Sequence, residues 1–86
     1  MRREPEFFED RELVLLYIAR KLKDALALEK LLDEKEVDYL IEVDYYSAGI
    51  IFRSERAGAF FYVEEPQRDL AAELLRSAGY RPQQDQ

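Results

Sequence analysis

The stretch Val37-Asp38-Tyr39-Leu40-Ile41-Glu42-Val43-Asp44-Tyr45-Tyr46 decides how the rest of this chain is read. Val37, Tyr39, Ile41, Val43 and Tyr45 alternate with Asp38, Leu40, Glu42, Asp44 and Tyr46. A period of two places these sets on opposite faces of an extended backbone. The spacing predicts a strand buried on one side.

Working outward, residues 58–63 (Gly58-Ala59-Phe60-Phe61-Tyr62-Val63) predict the next strand, with Ala59, Phe61 and Val63 opposing Phe60 and Tyr62. Pro66 then stands near a helix start, where a missing N–H costs nothing. Leu70, Ala71, Leu74, Leu75 and Ala78 make one apolar helical face, and Gly79 supplies a C-terminal cap. Tyr80-Arg81-Pro82 predicts a short edge strand, where proline is tolerated. Upstream, residues 21–36 carry Leu22, Ala25, Leu28 and Leu32 on one helical stripe, with Leu31 beside it and Leu26 off it. Before that helix, Leu13-Val14-Leu15-Leu16-Tyr17-Ile18-Ala19 shows no polar alternation. Its β-branched and aromatic content predicts a strand covered on both faces.

The order β-α-β-β-α-β predicts an α+β fold: a ferredoxin-like sandwich, an antiparallel sheet with two helices on one face. The first and third strands would be central. At 86 residues there is room for one domain. Residues 11–82 are assigned to it, residues 1–10 to a flexible arm that Phe7 and Phe8 pin, and residues 83–86 to a tail.

Composition removes whole classes of chemistry. Hydrophobic residues are 48% and aromatics 13% of the chain, too rich for disorder despite 37% charged residues. With no cysteine there is no disulfide, thiolate metal site or thiol nucleophile; with no histidine the usual general base is missing. Ser47, Ser54 and Ser77 therefore have no imidazole to activate them. Glu42 and Asp44 share a strand face and could hold a cation, but among 19 acidic residues such pairs arise by chance. No nucleotide-binding glycine pattern occurs. The expectation is a non-enzymatic protein with no catalytic residues, metal or cofactor. Acidic residues follow Arg2 and Arg3 where a signal peptide would be apolar, and residues 13–19 are far shorter than the roughly 20 needed to span a bilayer. A cytoplasmic protein with no membrane partner is expected.

Two features exceed what this fold needs. Helices on one face leave the other apolar, carrying either Leu13, Leu15 and Tyr17 or Val14, Leu16 and Ile18 from the first strand, with Phe60 and Tyr62 from the third. Leu15, Tyr17, Phe60 and Tyr62 are the candidate interface of a homodimer or homotrimer. The second feature is the connection across residues 45–58, which contains Ile50-Ile51-Phe52 and then Arg53-Ser54-Glu55-Arg56. A connection this long and apolar calls for cover, either as an extended strand, at a subunit contact or as a recognition loop. Tyr46, Ile50, Ile51, Phe52, Arg53, Ser54 and Arg56 are its candidates for meeting a regulated protein or a small-molecule effector.

The run Leu16-Tyr17-Ile18-Ala19-Arg20, then Asp24-Ala25-Leu26-Ala27-Leu28-Glu29-Lys30-Leu31-Leu32, resembles a family of small prokaryotic signal-transducing proteins. So does the late strand followed by a Leu-Ala-Ala-Glu-Leu-Leu helix ending in glycine. The resemblance spans residues 13–82, and it implies a fold related to the PII regulators, which are ferredoxin-like oligomers with a long loop between their second and third strands. The first helix departs by ending in Glu34-Lys35-Glu36 where glycine is frequent, and no PII-type phosphate-binding glycines can be placed.

The RNA-recognition motif is the alternative. Leu16-Tyr17-Ile18 and Gly58-Ala59-Phe60-Phe61-Tyr62-Val63 match its aromatic positions in part, offering Phe60 and Tyr62 for base stacking. Against it, Ala57 stands where a basic residue belongs, Arg56 lies one place early, and net charge −6 repels phosphates. No nucleic acid is expected as a partner.

Overall fold

The computed structural model describes residues 1–48 and 54–83, the side chains of 44–48 and 54–57 excepted. Its elements run α1 (Pro5–Phe8), β1 (Leu13–Ala19), α2 (Leu22–Glu34), β2 (Tyr39–Ala48), β3 (Ser54–Glu64), a 3-10 turn (Glu65–Gln67) and α3 (Arg68–Ser77). The strands form one antiparallel sheet in the order β1-β3-β2. The fold is α+β, as the alternating and helical periods require.

Two helical faces close one side of this sheet. Ala25, Leu28 and Leu32 of α2 and Ala71, Ala72 and Leu75 of α3 join Leu16, Ala19, Tyr39, Phe61 and Val63 in a single buried cluster. At its centre Tyr39 stacks on Phe61 with ring centroids 5.8 Å apart. Tyr39 is fully buried, so its hydroxyl needs a partner. It donates to Asp33 Oδ1 at 3.0 Å, and Glu29 Oε1 lies 3.4 Å away.

Both helices stop by the same device. At the end of α3 the Tyr80 N–H donates to the Leu75 carbonyl and the Gly79 N–H to Arg76, with Gly79 at φ +89°. At the end of α2 the Val37 N–H reaches Leu32 and the Glu36 N–H reaches Asp33. Here Glu36 takes the left-handed conformation, φ +55°, that glycine adopts at no steric cost. The stop is thus formed without glycine, and β2 follows directly.

Several expectations change. Leu22, expected on the buried stripe, is 76% exposed at the first position of α2, where the helix leaves a groove against the sheet. Tyr80-Arg81-Pro82 does not form the expected edge strand. Proline has no N–H to donate; among the described residues the Gln83 N–H donates to the Leu16 carbonyl at 2.7 Å. Among the described residues β1 is consequently an edge of the sheet and β3 its centre.

The first ten residues, expected as a flexible arm, are built into the body. Arg2 bridges to Tyr39 in parallel along the free edge of β2, while Leu13 starts β1 at the opposite edge. The chain between them must therefore cross the end of the sheet. Phe8 is 1% exposed yet stands outside the helix-side cluster, so the crossing uses the face away from the helices. Arg3 and Arg11 secure it. Arg3 Nε meets Asp38 at 2.9 Å, Arg11 meets Glu64 at 3.1 Å, and both guanidinium groups lie over the Phe7 ring. If this segment is structural, Phe8→Ala lowers stability by about 3 kcal/mol or more, as large buried aromatics do. Urea unfolding checks this; a loose arm would leave the midpoint unchanged.

Candidate functional site

The face of the sheet away from the helices is set by an irregularity in β1. Leu15 pairs with Tyr62 and Tyr17 with Phe61, so Leu16 is an extra residue without its own partner in β3. In a bulge of this kind two residues oppose one, and the alternation of side chains slips by one position. Leu16 is 1% exposed within the helix-side cluster, and Tyr17 packs against the same cluster. Leu13, Leu15 and Ile18 are left to the opposite face, beside Phe60 and Tyr62.

The two sets anticipated for β1 are therefore mixed. Leu15, Phe60 and Tyr62 share the open face as expected and are half-buried there. Tyr17 does not join them. It turns towards α2 and the C-terminal segment, edge-on to the Tyr80 ring with centroids 5.6 Å apart. The Tyr80 hydroxyl in turn lies 3.4 Å from Asp24 Oδ1. Leu40, opposite Tyr62 in the register, is 7% exposed at the end crossed by Phe8. The crossing segment thus lies at one end of this face, and the α2 and α3 cluster lies on the opposite face from Leu15, Ile18 and Phe60, which are half-buried. Glu42, exposed, stands opposite Phe60 and gives this region an acidic border.

Of the connection expected across residues 45–58, both described ends take the extended-strand form, β2 running to Ala48 and β3 starting at Ser54. Pairing of β2 with β3 continues without a break from Tyr39↔Val63 to Ala48↔Ser54. Tyr46 is thereby placed opposite Arg56, and Ser54 opposite Ala48. β1 pairs only as far as Ala59, so the far half of the β2–β3 ladder is a two-stranded arm extending past it. Ile50, Ile51, Phe52 and Arg53 lie outside the described residues.

A groove that the sequence reading did not anticipate lies where this arm leaves the body. It holds about 230 Å³ between the first turn of α2 and the sheet, and is lined in part by Ala19, Leu22, Ala25, Val43 and Ala59. Leu22 and Val43 are 76% and 71% exposed, the two most exposed large apolar residues among those described. Leu22 on the helical stripe and Val43 on the alternating strand were both readable only as members of buried faces. A second trough, about 380 Å³, runs between α2 and the end of α3, with Lys30, Leu31, Glu34 and Tyr80 along it. Among the described residues no three acidic side chains gather closely enough to hold a metal ion.

Tyrosine ionisation reports on the helix side. Burial, then the neighbouring Asp24 carboxylate and Tyr80, push the Tyr17 phenol above its ordinary value of 10.0, with Arg20 pulling the other way. Burial and the hydrogen bond to Asp33 push Tyr39 up much further. The folded state thus prefers the neutral phenol, while the unfolded chain ionises near the ordinary value. Stability from this source is complete below about pH 10 and is lost as pH rises towards the folded-state values. Urea midpoints measured from pH 8 upward should fall beyond about pH 10, and Tyr39→Phe should flatten that fall. The same variant loses about 1 kcal/mol at neutral pH, the worth of one hydrogen bond.

No protein-family model, no curated protein and no solved structure matches this chain.

Proposed function

We propose that this chain is a non-enzymatic regulatory or protein-interaction module that works as a homo-oligomer, closing the open face of its sheet on another copy. One observation carries the reading. The bulge at Leu16 sends Leu15 and Ile18 to the face of Phe60 and Tyr62, away from α2 and α3. These four side chains are only half-buried, and apolar area left in water on one sheet face is costly and fits a contact. The sheet order β1-β3-β2, with the segment after α3 returning to β1, is what a ferredoxin-like sandwich with a reduced fourth strand would have. This supports placing the chain with the PII-like signal-transducing proteins it resembles in residues 13–82, as a cytoplasmic regulator whose effector or target meets the β2–β3 arm. No helix of the described residues is long and apolar enough to cross a membrane.

The RNA-recognition reading is weakened by the same bulge. Its stacking platform needs an aromatic from β1 on the face of Phe60 and Tyr62, and Tyr17 is on the other face against Tyr80. Glu42 opposite Phe60 adds negative charge where a phosphate chain would run.

Sedimentation equilibrium at micromolar concentration should find the parent chain as a dimer or trimer. Leu15→Glu combined with Phe60→Ser should lower its mass while the far-UV circular dichroism stays folded. A parent that is monomeric throughout defeats the proposal. Titration with single-stranded RNA at about 0.15 M salt should show no micromolar binding. Binding abolished by Phe60→Ala would instead favour the nucleic-acid reading.

A further inference from the structure

Two exposed apolar sites on the helix side of the molecule carry opposite charge. The first is the groove of about 230 Å³ between the first turn of α2 and the sheet, where Leu22 and Val43 are 76% and 71% exposed. Arg20 and Lys21 line it beside Leu22, and residues 20–24 carry three cations to one carboxylate in a chain of net charge −6. The second is Leu70 on α3, which is 52% exposed although its neighbours Ala71 and Ala72 are fully buried. Residues 64–76 around it carry four carboxylates, Glu64, Glu65, Asp69 and Glu73, to two cations. Asp69 touches Arg68 at 3.3 Å and Glu73 touches Arg76 at 3.0 Å, yet the two acidic side chains stay 97% and 69% exposed. Exposed pairs of this kind are weak, and a carboxylate keeps acceptor sites for a further cation.

The fold holds these two sites apart. β1 pairs with β3 from Leu13↔Glu64 at one end to Ala19↔Ala59 at the other, about 20 Å of strand at roughly 3.3 Å per residue. α2 and the groove follow Ala19, whereas α3 begins just after Glu64, so Leu70 stands towards the opposite end of the sheet from Leu22. Neither site can cover the other within one chain. The groove is below the roughly 300 Å³ at which small-molecule sites begin, so it suits an apolar side chain better than a metabolite. A second copy supplies that side chain with carboxylates beside it. We infer that Leu70 of one copy seats in the Leu22–Val43 groove of another, with Asp69 and Glu73 set against Lys21 and Lys23. Unlike surfaces then meet from copy to copy, which is a heterologous contact.

This contact rests on the reading of the chain as a homo-oligomer but leaves the open face of the sheet untouched, so the two can fail separately. The chain has no cysteine, so introduced ones report the contact alone. A chain carrying Lys21→Cys is mixed with one carrying Glu73→Cys at micromolar concentration and oxidised. A disulfide-linked heterodimer is expected, in several-fold higher yield than when Lys35→Cys, exposed at the far end of α2, replaces Lys21→Cys. Raising the salt from about 0.05 M to about 0.5 M should lower that yield, because screening shortens the reach of the charges. Leu22→Glu changes a residue already exposed at a helix start, where a carboxylate is tolerated, so the fold stays intact. It should cut the yield roughly tenfold. A yield equal to the Lys35→Cys control, a yield unchanged by Leu22→Glu, or a linked monomer from the Lys21→Cys/Glu73→Cys double variant overturns the inference and leaves the groove to a different partner. Repeating the mixing in chains that also carry Leu15→Glu/Phe60→Ser separates the two contacts. A link that persists there, with a sedimenting mass unchanged by Leu15→Glu/Phe60→Ser, supports the Leu70 contact and defeats the sheet-face contact. A mass lowered by those two substitutions, with no link between positions 21 and 73 in any background, does the reverse.

Discussion

Leu16 is one residue more than β3 can pair, and much of the molecule follows from where that residue goes. Placing Leu16 and Tyr17 together on the helix side fills the core against Phe61. The same step returns Leu15 and Ile18 to the opposite face. Without the extra residue the strand would alternate through its whole length, and one of its two apolar sets would face the helices alone. The bulge also leaves the Leu16 carbonyl at the outer edge, where the Gln83 N–H takes it. It thereby links the C-terminal segment to the sheet at the point where regular pairing on that side is missing.

Both faces of the sheet are then served by different parts of the chain. On one side α2 and α3 close a continuous cluster around Tyr39 and Phe61, and the buried Tyr39 hydroxyl is satisfied by carboxylates on α2. On the other, a single helical turn anchored by Phe8 covers the end of the face beside Leu40. Arginine contacts made by residues 3 and 11 tie that crossing to Asp38 and Glu64. Such exposed ion pairs are individually worth little, about 1 kcal/mol or less, so Phe8 is the stronger anchor. A small domain buries too little surface to leave an aromatic pair such as Phe7 and Phe8 idle.

The arm formed by β2 and β3 connects the fold to the contacts proposed for it. A two-stranded ribbon is marginal by itself, so it is stabilised best when another surface lies against it. Its base carries a groove between the first turn of α2 and the sheet, where Leu22 and Val43 are both largely exposed. Both residues belong to apolar patterns that are buried a turn or two further on.

Much of the architecture was legible in local pattern. Alternation through residues 37–46 and 58–63 marked β2 and β3, the stripe Ala25, Leu28 and Leu32 marked α2, and Gly79 marked the stop of α3, because each of these follows from backbone period or conformational freedom alone. The run from Leu13 to Ala19 contained no polar residue to report its faces, so its sequence could not say which residues would meet the helices. Only pairing with β3 decided that, through the bulge, and it removed Tyr17 from the set with Leu15, Phe60 and Tyr62. The continuation of the ladder to Ala48 and Ser54, the return of the first ten residues over the sheet and the groove beside Leu22 were likewise decided in three dimensions. The physical reason is common to all: period and propensity are properties of neighbours along the chain, whereas register, crossing and cover depend on which distant segment arrives alongside.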